Sequence, residues 1–275
     1  MRQRALSAAI FVPPLLVVTA VGEPWFGALI AVFVAIAAWE AARLVRGAGY
    51  PVVTVVAVVG ALAVAADLAS IAQLRPYAGL AVGGVIIVAG IVAFAQTDTK
   101  IGFASWMGTA FTAVYVGMLG SLVRLDQVAP PLPQTAPLAG FGAGRSWVLL
   151  AILLVWSYDT GAYCVGIALG KRKFLSHISP SKSYWGLFGG LTATTVVAVA
   201  GLWAIGQPPV MGLALGPVAG AVAQAGDLAE SMLKRAAGAK DSGTLIPGHG
   251  GILDRMDSFI FAAPVVALFV SAVVR

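Results

Sequence analysis

Apolar stretches at roughly residues 5–21, 26–42, 52–71, 78–96, 103–122, 146–169, 184–205, 210–226 and 259–274 constrain this chain more than any other feature. Each approaches the about 17–25 residues that cross a hydrocarbon core of about 30 Å. Inside lipid a backbone N–H or C=O finds no water, so only helices or a closed barrel can span it. The runs are continuous rather than alternating, which selects helices. Charged residues make up 10% of the chain, against about 25% in soluble domains, too few to clothe a water-facing surface. A soluble domain, a disordered chain and a coiled coil are therefore excluded. With one cysteine, Cys164, so are a disulfide-stapled module and a cysteine metal cluster. The expected fold class is all-α: a polytopic integral membrane protein of about nine transmembrane helices. The first stretch follows Met1-Arg2-Gln3-Arg4 and has the outline of a cleaved signal peptide. The spans that follow make a retained first helix the simpler reading.

The basic residues set the orientation. With the N-terminus cytoplasmic, all Lys and Arg except Arg75, Arg124, Arg145 and Arg275 fall on the cytoplasmic side, as the positive-inside rule requires. The net charge of +6 thus reflects topology and gives no reason to expect a nucleic-acid partner. Residues 1–145 read as about five spans closing on an external Pro/Gly loop, a plain connector. Residues 146–275 read as about four spans holding a polar cytoplasmic segment, 227–258.

Of the acidic residues, Asp227, Glu230, Asp241, Asp254 and Asp257 gather in that segment, and Asp159 lies within the sixth span. Ionisable groups at membrane depth are costly and mark functional cavities, so the cluster reads as a cation site. Asp227, Glu230, Ser231 and Lys234 follow at i, i+3, i+4 and i+7, one face of a helix. Arg235 adds a second positive charge. Lys240-Asp241-Ser242-Gly243 then leads into Pro247-Gly248-His249-Gly250-Gly251, where glycines let backbone N–H groups approach an anion. Asp254 and Asp257 stand again at i, i+3 around Arg255. Carboxylates for a hard cation, with Lys and Arg for phosphate oxygens, suit phosphoryl or nucleotidyl transfer. An ordinary charged surface loop with Glu–Lys helix pairs is the alternative reading of the same spacing.

The run Ser231-Met232-Leu233-Lys234-Arg235, then Lys240-Asp241-Ser242-Gly243, then Ile246 through Asp257, resembles the hallmark of the phosphatidate cytidylyltransferases. Gly226-Asp227-Leu228-Ala229-Glu230 and Asp159-Thr160-Gly161-Ala162-Tyr163 are similar to that family too; the likeness is firm over about residues 155–260. It implies that CTP and phosphatidate give CDP-diacylglycerol and pyrophosphate, in phospholipid biosynthesis at the cytoplasmic face of a bacterial inner membrane. It further implies Mg²⁺, with room for a second cation, on Asp227, Glu230, Asp254 and Asp257. Lys234, Arg235, Lys240 and Arg255 would contact the triphosphate or the lipid phosphate, and Asp241 and His249 join them as catalytic candidates. His249 also has a loop-structuring reading. Asp159, Lys182, Ser231, Gly250 and Gly251 complete the implied substrate site. Lys171, Arg172 and Lys173 with Lys182 form a basic cluster suited to anionic headgroups.

One stretch departs from the family. In Ser181-Lys182-Ser183-Tyr184-Trp185-Gly186, Trp185 stands where an acidic residue is usual, which opens the reading of a weakened relative. Trp25, Trp147 and Trp185 lie near span ends and are expected in an interfacial belt, and Cys164 as a buried filler. Gly212, Gly216 and Gly220 make a smooth ridge, for packing within the chain by default or for a homodimer. Two rival functions remain: a CTP-dependent polyprenol or dolichol kinase, and an ion-coupled transporter using Asp159. The polar segment has no second copy in residues 1–140, which counts against the inverted repeats of transporters.

Overall fold

A computed structural model describes residues 13–69, 79–245 and 250–273. Among these residues the chain is helical without a named strand; Lys173 and Ser183 form an isolated antiparallel bridge. Helix α1 is described over residues 13–21. There follow α2 (Trp25–Gly47), α3 (Thr54–Ala69), α4 (Leu80–Ala93), α5 (Thr99–Gly117) and α6 (Ser121–Val128). The rest are α7 (Ala143–Leu169), α8 (Tyr184–Ala204), α9 (Gly212–Ala236) and α10 (Leu253–Val273). Six segments of the described chain are long and apolar enough to cross a membrane: α2, Thr99–Val128, α7, α8, Pro209–Ala236 and Leu253–Ala272. The protein is therefore an all-α, polytopic membrane protein. Helices α3 and α4 are apolar but shorter, at 16 and 14 residues. Of the expected first span, residues 5–12 lie outside the described ones and the rest is helical as α1.

Polar side chains satisfy backbone N–H groups at helix starts, as capping requires. Asp98 accepts from the amides of Lys100 and Ile101 at 2.7 and 3.2 Å, opening α5. Ser183 accepts from Gly186 at 3.1 Å, opening α8.

The chain forms two compact units. The first comprises residues 1–124 with 233–256. In it α3 packs on α2, α4 and α5, with Val64, Val85 and Ala113 buried between them. The returning segment is seated by Leu233, which packs on Ala42, Val45, Val52 and Ala57. The second unit comprises residues 125–232 with 257–275. There α7 lies along α8, and a Cβ at Gly161 would strike the Gly189 backbone. The glycine ridge of α9 faces α8: side chains at Gly212 and Gly216 would run into the backbones of Val199 and Thr195. Packing within the chain thus occupies the ridge. Gly216→Val is expected to lower the thermal stability of the detergent-solubilised protein by about 1–3 kcal/mol through overpacking, read by the midpoint of unfolding; an unchanged midpoint contradicts this contact.

Two expectations fail here. Trp147 is completely buried in the second unit, so it is core rather than belt, whereas Trp25 and Trp185 are exposed. Cys164 is exposed on α7, because the helix turns Tyr163 and Cys164 outward while Tyr158 fills the interior.

Candidate functional site

In the first unit the polar segment is built from the end of α9. Gly238 adopts φ +65°, the left-handed conformation glycine accepts most readily. Its amide donates to Arg235 O at 3.1 Å and that of Ala239 to Lys234 O at 2.8 Å. This is the Schellman termination of a helix, and it releases Lys240–Gly243 as an irregular strap. The strap returns to the start of α10, where the first amides of a helix have no partner of their own. The amide of Asp254 donates to Ser242 Oγ at 3.3 Å. Those of Ile252 and Leu253 donate to the carboxylate of Glu40, on α2, at 3.3 and 2.8 Å.

Asp254 is the centre of this arrangement. Its Oδ2 accepts from Ser242 N, Ser242 Oγ and Gly251 N, each at 2.8 Å. Its Oδ1 faces Lys234 Nζ at 2.6 Å. The side chains of Lys234 and Asp254 are 13% and 5% exposed, so the pair sits in a medium where each charge needs the other. Gly250 has φ +80°, and a Cβ there would meet Asp254 Oδ2. The loop glycines thus serve the carboxylate directly. Beside the strap a cleft of ≈ 460 Å³ is lined by Ile36, Trp39, Glu40, Arg43 and residues 243–245. The Arg43 guanidinium stands 4.9 Å from the Trp39 ring centroid.

In the second unit, Asp227 forms an ion pair with Lys182 and accepts from Ser231 Oγ at 3.4 Å. Gly226 is pressed against the backbone of Asp257 and Ser258, which brings the Asp227 and Asp257 positions to one crossing of α9 and α10. Glu230 is fully buried. A cleft of ≈ 610 Å³ is lined by Asp159, Tyr163, Lys173, Lys182, Ser183 and Gln224, among others. Gln224 is fixed by the Tyr158 hydroxyl, which donates to its Oε1 at 2.8 Å. The volume lies within the range of small-molecule sites.

The expected residues therefore fall into two sets. The first unit joins Lys234, Ser242, Gly250, Gly251 and Asp254, with Lys240, Asp241 and Arg255 exposed around them. Arg235 is also exposed and donates to Ala239 O at 3.2 Å. The second unit joins Asp227, Ser231 and Lys182, with Asp159 on the same cleft as Lys182. Lys171, Arg172 and His177 are exposed in the turns before α8. His249 lies outside the described residues. Among the described residues no three His, Cys, Asp or Glu side chains come together as a metal-binding group. Mg²⁺ bound with a nucleotide uses one or two carboxylates and completes its shell with phosphate and water oxygens. Asp227 and Asp254, each beside a lysine that phosphate would attract, fit that mode in chemical type.

Trp185, the departure from the family pattern, is exposed in the first turn of α8 and meets Phe188 edge-on at 6.4 Å. An acid here would face the positive end of the helix, favourable by about 0.3–1 kcal/mol. Trp185→Glu is expected to keep the fold and raise turnover; an unchanged kcat assigns the position no part in the reaction.

Glu40 and Ser242 escape a reading based on clustered charge, since Glu40 meets its partners 202 residues or more along the chain. The signal is present all the same: Glu40 is a carboxylate in an apolar stretch, the feature that singles out Asp159.

The sequence matches the model of the cytidylyltransferase family over residues 2–273. A phosphatidate cytidylyltransferase from Synechocystis is 44% identical over 174 residues, covering 57% of this chain and 59% of that protein. One from Bacillus subtilis is 44% identical over 124 residues, 44% of this chain and 46% of the relative. One from Haemophilus influenzae is 44% identical over 132 residues, 46% of each chain. The chain spans about half the length of the curated relatives it matches.

Proposed function

We propose that this chain, which belongs to the cytidylyltransferase family, joins CTP to phosphatidate to give CDP-diacylglycerol and pyrophosphate. An oxygen of the lipid phosphate attacks the α-phosphorus of CTP. The bond from that phosphorus to the bridging oxygen of the β-phosphate breaks, and pyrophosphate leaves with the bonding pair. The nucleophile belongs to the substrate, so the protein supplies positioning and charge. Lys234 and Lys182 sit at the two carboxylates, and Arg235, Lys240 and Arg255 surround the first set from exposed positions. These cations take the phosphate groups of the two polyanions. Asp254 holds Lys234 in place and is itself held by the Gly251 amide. The carboxylates that would hold Mg²⁺, one or two to an ion, are Asp254 in the first unit and Asp227, Glu230 and Asp257 in the second. The ion, when bound, neutralises charge on the triphosphate and the leaving group.

The observation that carries this reading is Asp254, a buried carboxylate fastened by three donors of one glycine-rich loop and paired with Lys234. In this reading about nine helices span a bacterial inner membrane with the N-terminus and the polar segment cytoplasmic, which the distribution of Lys and Arg supports. The test uses purified protein in mixed micelles with CTP, Mg²⁺ and phosphatidate. Pyrophosphate release that requires phosphatidate and matches CDP-lipid formed is expected. Release of CDP with a polyprenol or dolichol acceptor, and none of pyrophosphate, would replace the reading with a lipid kinase.

A further inference from the structure

Glu40 is 1% exposed and is the one carboxylate of α2, whose other charged residues are Arg43 and Arg46. Its carboxylate spends its acceptors on one target, the strap and the first turn of α10. Oε1 accepts from Ile252 N at 3.3 Å. Oε2 accepts from Leu253 N at 2.8 Å and faces Ser242 Oγ at 3.1 Å. Ser242 Oγ lies 2.8 Å from Asp254 Oδ2 as well, so one hydroxyl stands between the two carboxylates. A hydroxyl has a single proton to donate, which makes Ser242 the shared link of the pair. Two loop glycines are shaped by the same group: a Cβ at Gly243 or Gly251 would collide with Glu40 Oε1. At Gly243 the closest atoms belong to Glu40, and the next is Gly251 Cα at 3.3 Å, a tighter contact than usual but a milder one.

We infer that Glu40 is a positioning residue for the cytidylyl-transfer site, fixing Asp254 through Ser242 and the amides of Ile252 and Leu253. The inference rests on the reaction proposed above only for its kinetic readout. A carboxylate reaching from another helix fixes the loop against the bundle, which local hydrogen bonds within the loop cannot do. A partner standing behind a reactive group commonly contributes 10–100-fold.

The test compares wild type with Glu40→Gln, Glu40→Ala, Gly243→Ala and the double variant Glu40→Ala/Gly243→Ala, as full chains in micelles. Glu40→Gln keeps the size of the side chain but turns an amide N–H₂ toward donors. Both Glu40 variants are expected to lose hydrogen-exchange protection over residues 250–256. Their kcat should fall about 10–100-fold while KM for CTP and for phosphatidate stays within about threefold. Gly243→Ala should lower kcat alone and cost much less in the Glu40→Ala background, because the carboxylate its methyl strikes is gone and only the milder contact with Gly251 Cα remains. Wild-type protection and kcat in Glu40→Gln and Glu40→Ala overturn the inference, as do additive effects in the double variant. If wild type itself forms no CDP-lipid, the reaction fails on its own, and the exchange measurement still decides the role of Glu40.

Discussion

Asp254→Asn is expected to lower the rate of CDP-lipid formation by about 100-fold or more while the protein remains folded. The substitution keeps the outline of the side chain and removes its charge. The three loop donors at 2.8 Å and Lys234 at 2.6 Å all need an acceptor. An amide offers one acceptor and one donor group. If its N–H₂ faces the loop, the Ser242 and Gly251 amides lose their partner while the Ser242 hydroxyl turns to Glu40; if it faces Lys234, two donors oppose each other. Either arrangement costs about 1–3 kcal/mol of local stability, enough to loosen the strap without unfolding the bundle. Lys234 then loses the anchor that holds it where phosphate arrives. Initial rates with both substrates saturating, beside a thermal unfolding curve, separate the two effects. Near-wild-type turnover would remove Asp254 from the site.

Lys234→Met is expected to damage both stability and activity. It strands the carboxylate of Asp254, whose side chain is 5% exposed, and breaking a buried pair from one side costs about 3–5 kcal/mol. Methionine keeps the apolar stem that packs beneath the charge, so the loss reports the ammonium. Combining Lys234→Met with Asp254→Asn should recover part of the stability, since no buried charge is left unpaired, and none of the turnover. Recovery of turnover in the double variant would show that the lysine serves only the fold. The measurements are the unfolding midpoint and kcat for the two single variants and the pair.

Hydropathy located the helices well and their ends poorly, for local reasons. The stretch read at 78–96 shortens to Leu80–Ala93, because Gly79 at φ +88° opens the helix and the amides of Phe94, Ala95 and Gln96 turn back to carbonyls three residues earlier. The stretches read at 210–226 and 259–274 lengthen to Gly212–Ala236 and Leu253–Val273. Their added turns carry Asp227, Glu230, Lys234 and Asp254, polar residues that continue a helix although they end an apolar run. Trp147 lies near a span end yet is fully buried, because nearness to an end does not reveal which face of the helix is covered.

The site was legible where its residues are neighbours in sequence. Asp227 and Ser231, or Lys234 and Asp254 with the glycine loop, stand out by type and spacing. Contacts made by single remote residues were hidden. Lys182 on Asp227 joins residues far apart, and Glu40 on Leu253 spans 213 positions. Periodicity carries no information about such pairings; they follow from which helices pack together, and in the first unit Leu233 and Glu40 seat the returning segment on α2.

The most direct measurement uses CTP labelled in separate reactions at the α- and the γ-phosphate, with phosphatidate micelles and Mg²⁺. The α-label is expected to enter the lipid phase and the γ-label to leave as pyrophosphate, with both suppressed in Asp254→Asn. Entry of γ-label into the lipid without α-label would contradict it.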